Sequence, residues 1–96
     1  MSKGYWIAHV SINDVENFKA KYTPLADEAL AAHGGRILAR GGDATLVEGE
    51  VKLRTVVVEF DSLDAAKACY RSDMYQKAKA VRTAYSDADI IIVEGI

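Results

Sequence analysis

The sequence holds two histidines, and His9 is the one that falls within an apolar stretch of period-two alternation. A neutral imidazole in the middle of a strand can act as a general base or can donate a hydrogen bond to a ligand. It can equally lie half-buried at an interface between two subunits. His33 falls in the last turn of a predicted helix, where a cation suits the helix dipole, and is expected to be structural.

Arg40 stands directly before Gly41 and Gly42. Glycines let backbone amides approach a ligand closely, and a guanidinium beside free amides is suited to a carboxylate or a phosphate. The same three residues also fit a β-bulge that needs glycine geometry, with the arginine paired to an acidic side chain. The sequence therefore leaves two interpretations open, an anion clamp and a structural bulge.

Three further residues complete the candidate set. Glu59 lies between two apolar residues of a predicted strand, so it is expected on the opposite sheet face from them, the face of His9. Tyr75 and Arg82 are two helical turns apart and could border one cleft. A His, an Arg and a Glu on one face would form an acid–base and anion-binding set. Ion pairs at an interface are the alternative.

The charge and the cysteine count exclude several classes of function. The net charge is −2 and no basic run is present, so neither nucleic acid nor an anionic membrane surface is an expected partner. The N-terminal apolar stretch is soon broken by polar residues, which predicts neither a signal peptide nor a membrane span. Cys69 is the only cysteine, and the two histidines match no zinc spacing. We expect a cytosolic protein without metal or cofactor.

Periodicity predicts the first half of the fold. A strand over Gly4–Ile12 is followed by an amphipathic helix that Asn13 or Asp14 caps and that Gly34-Gly35 ends. Pro24 lies inside this helix and predicts a kink or a break there. A short strand over Arg36–Arg40 is interrupted by the two glycines and is expected to resume over Ala44–Glu48.

The second half repeats the order of strand and helix. Arg54–Phe60 is rich in β-branched residues and is predicted to be a central strand. Ser62 and Ser72 begin two consecutive helical segments, and Asp89–Val93 forms the last strand. In the second segment, one face is expected to carry Met74, Ala78, Val81 and Tyr85.

The resulting order, β-α-β-β-α-β, predicts a single ferredoxin-like α+β domain over residues 1–96. Right-handed crossovers give an antiparallel sheet in the order 4-1-3-2 with both helices on one face. If Trp6, Ala8 and Val10 face the helices, the other sheet face exposes apolar residues beside His9. A bare apolar face of this kind signals a partner, so the expected partner is a second copy of the chain.

Short sequence pieces along the chain resemble one known family. They are Tyr5-Trp6 with His9, Gly34-Gly35-Arg36, Arg40-Gly41-Gly42, Glu48-Gly49, Val57-Val58-Glu59-Phe60 with Ser62, Ala68-Cys69-Tyr70, Ser72 with Tyr75, Arg82, and Val93-Glu94-Gly95. Together they resemble the family called domain of unknown function 1330. This resemblance implies a dimeric α+β barrel, in which two ferredoxin-like units pack their sheets together, with a pocket between sheet and helices or inside the barrel.

Three functions remain open on this basis. The superfamily that the chain resembles includes cofactor-independent enzymes of the isomerase or oxygenase type, and His9 could take the proton. A binding module for a small acidic or aromatic metabolite would use Arg40 and its glycines to grip the anion. An interaction dimer would bind no ligand at all. The sequence contains no nucleophile motif or nucleotide loop, so the fold resemblance alone supports catalysis.

Overall fold

β1 (Gly4–Ile12) pairs with one strand on each side and therefore lies inside the sheet. The computed structural model describes residues 2–96 and contains one antiparallel sheet in the order β2-β3-β1-β4. The other elements are α1 (Val15–Asn17), a π-helical turn (Phe18–Tyr22), α2 (Thr23–Ala32), β2 (Arg36–Arg40), β3 (Arg54–Phe60), α3 (Leu63–Arg71), α4 (Asp73–Arg82) and β4 (Ser86–Glu94). This confirms the predicted ferredoxin-like fold, its sheet order and the bounds of β1, β2 and β3.

The alternation of side chains along β1 decides which sheet face the helices cover. Trp6, Ala8 and Val10 are buried, whereas the residues between them are only half-buried. Trp6 lies opposite Val58 of β3 and Ile92 of β4 and packs against the ring of Phe60. The core therefore lies between this inner face of the sheet and the helices, and the outer face is left open.

The first helical region changes its geometry before Pro24. Asp14 caps α1 by accepting the Asn17 amide at 3.1 Å, so Asp14 and not Asn13 is the cap. The π-helical turn ends just before α2, so Pro24 lies in the first turn of α2. Proline is tolerated there because the amides of a first helical turn have no partner within the helix. The predicted kink is thus a widened turn, and it places the ring of Phe18 in the core.

Ser62 and Ser72 cap α3 and α4, as predicted, through hydrogen bonds to the amides three residues later. Of the predicted face of α4, Ala78 is buried, and the helix also buries Tyr75 and Arg82, each one position after a residue of that face. The Tyr75 ring packs 4.8 Å from the ring of Trp6, and this large aromatic contact sets the rotation of the helix.

The connection between β2 and β3, residues 41–53, contains no strand, so the expected strand over Ala44–Glu48 was wrong. Gly41 begins this connection with a φ of 67°, a left-handed conformation that ends the extended backbone of β2. The bulge in β2 lies between Ile37 and Ala39, before the glycines. No helix in residues 2–96 combines the length and apolarity that crossing a bilayer requires.

Candidate ligand-binding cavity

A cavity of about 60 Å³ lies between the inner sheet face and the helical layer. One water needs roughly 10–15 Å³ on this scale, so the space holds a few waters or part of a small ligand. Its apolar walls include Trp6, Ala8, Val10, Phe18, Leu30, Val56, Val58 and Ile90. Its polar lining consists of Tyr22, Thr23, Asp27, Arg40, Arg54, Tyr75 and Arg82.

Arg82 brings a buried positive charge to this cavity. The residue is only 6% exposed, and its Nη1 donates a hydrogen bond to the Tyr75 hydroxyl at 2.8 Å. The two residues lie two turns apart on the same side of α4, so their side chains meet, as the sequence predicted. Among residues 2–96, no carboxylate forms an ion pair with Arg82.

Arg54 brings a second guanidinium from the start of β3. Its central carbon lies 5.8 Å from the centre of the Phe18 ring, and within residues 2–96 it too pairs with no carboxylate. Its Nε is enclosed and has no hydrogen-bond partner in the described chain. Gly41 leaves room for this guanidinium, because a Cβ at that position would collide with Nη1 of Arg54.

Arg40 lies at the rim of the cavity and already has an acidic partner. Its Nη1 donates to Asp27 Oδ1 of α2 at 2.6 Å, so the arginine predicted as an anion clamp forms an ion pair. The Gly41 amide donates to the Thr55 carbonyl at 3.0 Å, and neither Gly41 nor Gly42 lines the cavity. A role for these three residues in ligand binding stays a prediction.

Two tyrosines form the inner polar wall. The hydroxyls of Tyr22 and Tyr75 are 2.9 Å apart, and Tyr75 is 1% exposed. Burial raises the pKa of Tyr75 far above its ordinary value, so this phenol keeps its proton at every physiological pH. The pair therefore supplies hydroxyl groups that can donate hydrogen bonds inside the cavity.

His9 and Glu59 lie on the open sheet face, away from the cavity. His9 Nδ1 is 3.1 Å from the Thr55 hydroxyl on the neighbouring strand. Glu59 accepts hydrogen bonds from Arg36 Nε at 3.0 Å and from the Tyr5 hydroxyl at 3.2 Å. The hydrogen bond from Arg36 holds the pKa of Glu59 below its usual value. The predicted set of candidate residues thus separates into two groups on opposite faces.

Sequence reasoning missed Arg54, Tyr22 and Asp27 as cavity residues. The period-two alternation of β3 already indicated Arg54, since Val58 and Val56 face inward and the next inward position is Arg54. Tyr22 was assigned only to the apolar stripe of the first helix. No pattern in the sequence shows that Asp27 would reach Arg40.

Cys69 offers no reactive thiol. It is fully buried, as expected for a small apolar residue, and burial raises the pKa of its thiol to about 11. No three His, Cys, Asp or Glu side chains come together as metal ligands in the part of the chain that the structure describes.

The fold and the cavity define a ferredoxin-like α+β protein with a cavity between its two layers. The chain belongs to the family "Domain of unknown function (DUF1330)", whose model matches residues 3–96. No curated protein is similar enough in sequence to match the chain.

Solved structures share this fold at low sequence identity. A protein of unknown function from Rhodopseudomonas palustris is 16% identical, with a TM-score of 0.76 over 99% of this chain and 83% of its own. A dimeric ferredoxin-like protein of unknown function from Thermobifida fusca is 17% identical, with a TM-score of 0.58 over 99% and 92%. SnoaB, a cofactor-independent oxygenase from Streptomyces nogalater, is 9% identical, with a TM-score of 0.57 over 97% and 92%.

Proposed function

We propose that the protein is a homodimer that binds a small organic acid with an apolar or aromatic body in the cavity, without a cofactor. The observation that carries this proposal is the charge of the lining. Arg40, Arg54 and Arg82 supply three cations, Asp27 supplies one anion, and the difference leaves two positive charges unmatched.

An unmatched buried cation is costly, and a bound anion would offset that cost. Taking a charge out of water without a partner is strongly unfavourable, and Arg82 is almost fully enclosed. A guanidinium forms two parallel hydrogen bonds to a carboxylate, which makes arginine well suited to this class of ligand. The Arg54 guanidinium, which lines the cavity and has no acidic partner in residues 2–96, offers further donors to such a carboxylate.

The apolar walls of the cavity favour a ligand whose carboxylate is attached to an apolar group. Trp6, Phe18 and Val56 line the same space as the arginines, so a hydrated inorganic ion would leave apolar surface unpaired. In such a ligand the carboxylate would contact the arginines, and the flat or branched apolar group would contact the apolar side chains. Benzoate and phenylacetate are the simplest probes of this class.

The open sheet face supports the homodimer. Ile91 is 59% exposed and Val93 is 40% exposed on this face of β4, beside Ile7 and Val57 of the neighbouring strands. An apolar patch on a sheet face normally has a partner. The Thermobifida fusca relative of the same fold is described as dimeric.

Binding can be tested by thermal unfolding with a panel of carboxylic acids, phenols and quinones, and with the oligomer mass measured on the same sample. A ligand at about 100 times its Kd adds about 2.7 kcal/mol of stability, which raises the midpoint by several degrees. Arg54→Met should weaken binding of the active acid by about ten-fold or more. Arg71→Met, at an exposed position on α3, is the matched control and should bind as the unchanged protein does.

The second candidate is an interaction dimer that binds no small molecule. The ion pair of Arg40 with Asp27 at the rim, and the small volume of the cavity, favour this candidate. It predicts that no compound shifts the midpoint of a well-folded dimer. Turnover with His9 as the base would need a second site between the two sheets, because His9 lies on the other face from the cavity.

A further inference from the structure

A chain of hydrogen bonds runs from Arg82 through Tyr75 to Tyr22, and the guanidinium fixes the direction of its first bond. A guanidinium can only donate, so Arg82 donates to the Tyr75 oxygen at 2.8 Å. Tyr75 is 1% exposed, and its own hydrogen therefore needs an acceptor inside the protein. In residues 2–96 that acceptor is the Tyr22 oxygen at 2.9 Å. The arrangement that satisfies the Tyr75 hydrogen within the protein has Tyr75 donating to Tyr22.

The hydroxyl hydrogen of Tyr22 is left at the end of this chain. Its oxygen accepts from Tyr75, and no acceptor within residues 2–96 receives its hydrogen. Tyr22 also lines the cavity. The positive charge of Arg82 polarises both phenols in one direction, which makes the last hydroxyl a better donor than an isolated tyrosine.

Tyr22 and Arg54 lie within reach of one small ligand. Both are adjacent to Phe18, whose ring centre is 4.9 Å from that of Tyr22 and 5.8 Å from the guanidinium carbon of Arg54. A ligand whose carboxylate meets Arg54 and whose body lies on Phe18 can therefore present a second oxygen to Tyr22.

We propose that the Tyr22 hydroxyl donates to a second, non-carboxylate oxygen of the ligand, so that the site selects hydroxy, keto or phenolic acids over the same acids without that oxygen. This inference rests on the proposed binding of organic acids in the cavity. It adds a specificity-determining residue to that site and narrows the class of ligand.

The test compares acids that differ by one oxygen. Benzoate is titrated beside meta- and para-hydroxybenzoate, and phenylacetate beside mandelate and phenylglyoxylate, by calorimetry on the full chain. At least one oxygenated acid should bind the unchanged protein about five-fold more tightly than its parent acid. Tyr22→Phe should remove that preference while leaving the affinity for the parent acid within about two-fold.

Two further variants separate donation from packing. Tyr75→Phe keeps the Tyr22 hydroxyl but breaks its link to Arg82, and should reduce the preference without removing it. Tyr85→Phe removes a hydroxyl that meets Lys21 outside the cavity and should change nothing.

The possible results separate the role of Tyr22 from the binding of organic acids on which it rests. If parent acids bind but no oxygenated acid binds more tightly to the unchanged protein, the role of Tyr22 is refuted and acid binding stands. An equal loss for parent and oxygenated acids in Tyr22→Phe would also overturn it, since packing explains such a loss. If none of these acids binds, acid binding and the inference fail together. The comparison in the unchanged protein decides the matter even where the variant does not fold.

Discussion

The cavity and the open sheet face both contain arginines, but the cavity leaves two of its three without an acidic partner in residues 2–96. On the open face, Arg36 lies 3.0 Å from Glu59 and 3.1 Å from Asp61. In the cavity, Arg54 and Arg82 have no carboxylate partner among residues 2–96. Charge matching, more than the presence of polar residues, distinguishes this structural network from the proposed ligand site.

The largest expected effect comes from removing the buried cation of the cavity. Arg82→Met should weaken binding of an organic acid by about 10- to 100-fold, since hydrogen bonds to charged groups contribute about 1.5–3 kcal/mol. The thermal midpoint should be unchanged or higher, because an unpaired buried charge is replaced by an apolar side chain. Calorimetry and thermal unfolding measure the two quantities.

The matched control for Arg82→Met is Arg36→Met on the open face. It should lower the midpoint, since Glu59 and Asp61 lose their partner, and it should leave acid binding in the cavity unchanged. If Arg82→Met lowered the midpoint sharply without affecting binding, Arg82 would be a structural residue and the contrast between the two faces would be lost.

The next effect concerns the position of Arg54. Gly41→Ala should destabilise the fold by about 1–2 kcal/mol because of its left-handed backbone. It should also weaken acid binding, because the new methyl group displaces the Arg54 guanidinium. Gly42→Ala is a close control, since its Cβ meets no atom within 4 Å. Equal acid affinity in both variants would show that the position of Arg54 does not matter.

The matched charges of the open face predict a dependence of stability on pH. Arg36 holds the pKa values of Glu59 and Asp61 below their unfolded values, which are about 4.3 and 3.9. Their contribution is complete above those unfolded values and is lost as the pH falls through the lower folded pKa values. Glu59→Gln should therefore flatten the fall of the midpoint between about pH 5 and pH 2. Parallel curves for the two proteins would contradict this assignment.

The smallest expected effect is that of His9→Leu. His9 contacts Thr55 on the face opposite the cavity, so acid binding in the cavity should not change. The free energy of unfolding should change by about 0.5 kcal/mol or less, and the dimer should persist. Loss of the dimer, seen as a halved mass, would show that His9 holds the interface together.

The sequence predicted the strands well because their signals are local. β1 and β3 alternate or run in β-branched residues over their whole length, and the structure has the predicted bounds for both. Residues 41–53 contain apolar residues such as Leu46 and Val47 that imitate a strand. They form none, and the segment begins at Gly41, whose φ of 67° is not that of a strand.

The cavity was less predictable because it depends on contacts far apart in the chain. Tyr75 and Arg82 share a helix, so their spacing sufficed to place them together. Tyr22 meets Tyr75 only because the π-helical turn and α4 pack against each other. Arg54 faces inward against the general rule that charged side chains point to solvent, and that exception is what marks the site.

The most direct test of the account is a calorimetric titration that compares benzoate with benzamide, which has nearly the same shape and no charge. Because two guanidinium groups in the cavity lack an acidic partner in the described chain, residues 2–96, benzoate should bind at least about ten-fold more tightly than benzamide, and Arg54→Met should reduce that ratio. Equal affinity for the two compounds, or no binding of benzoate to the folded protein, would contradict the assignment of this cavity as a site for organic anions.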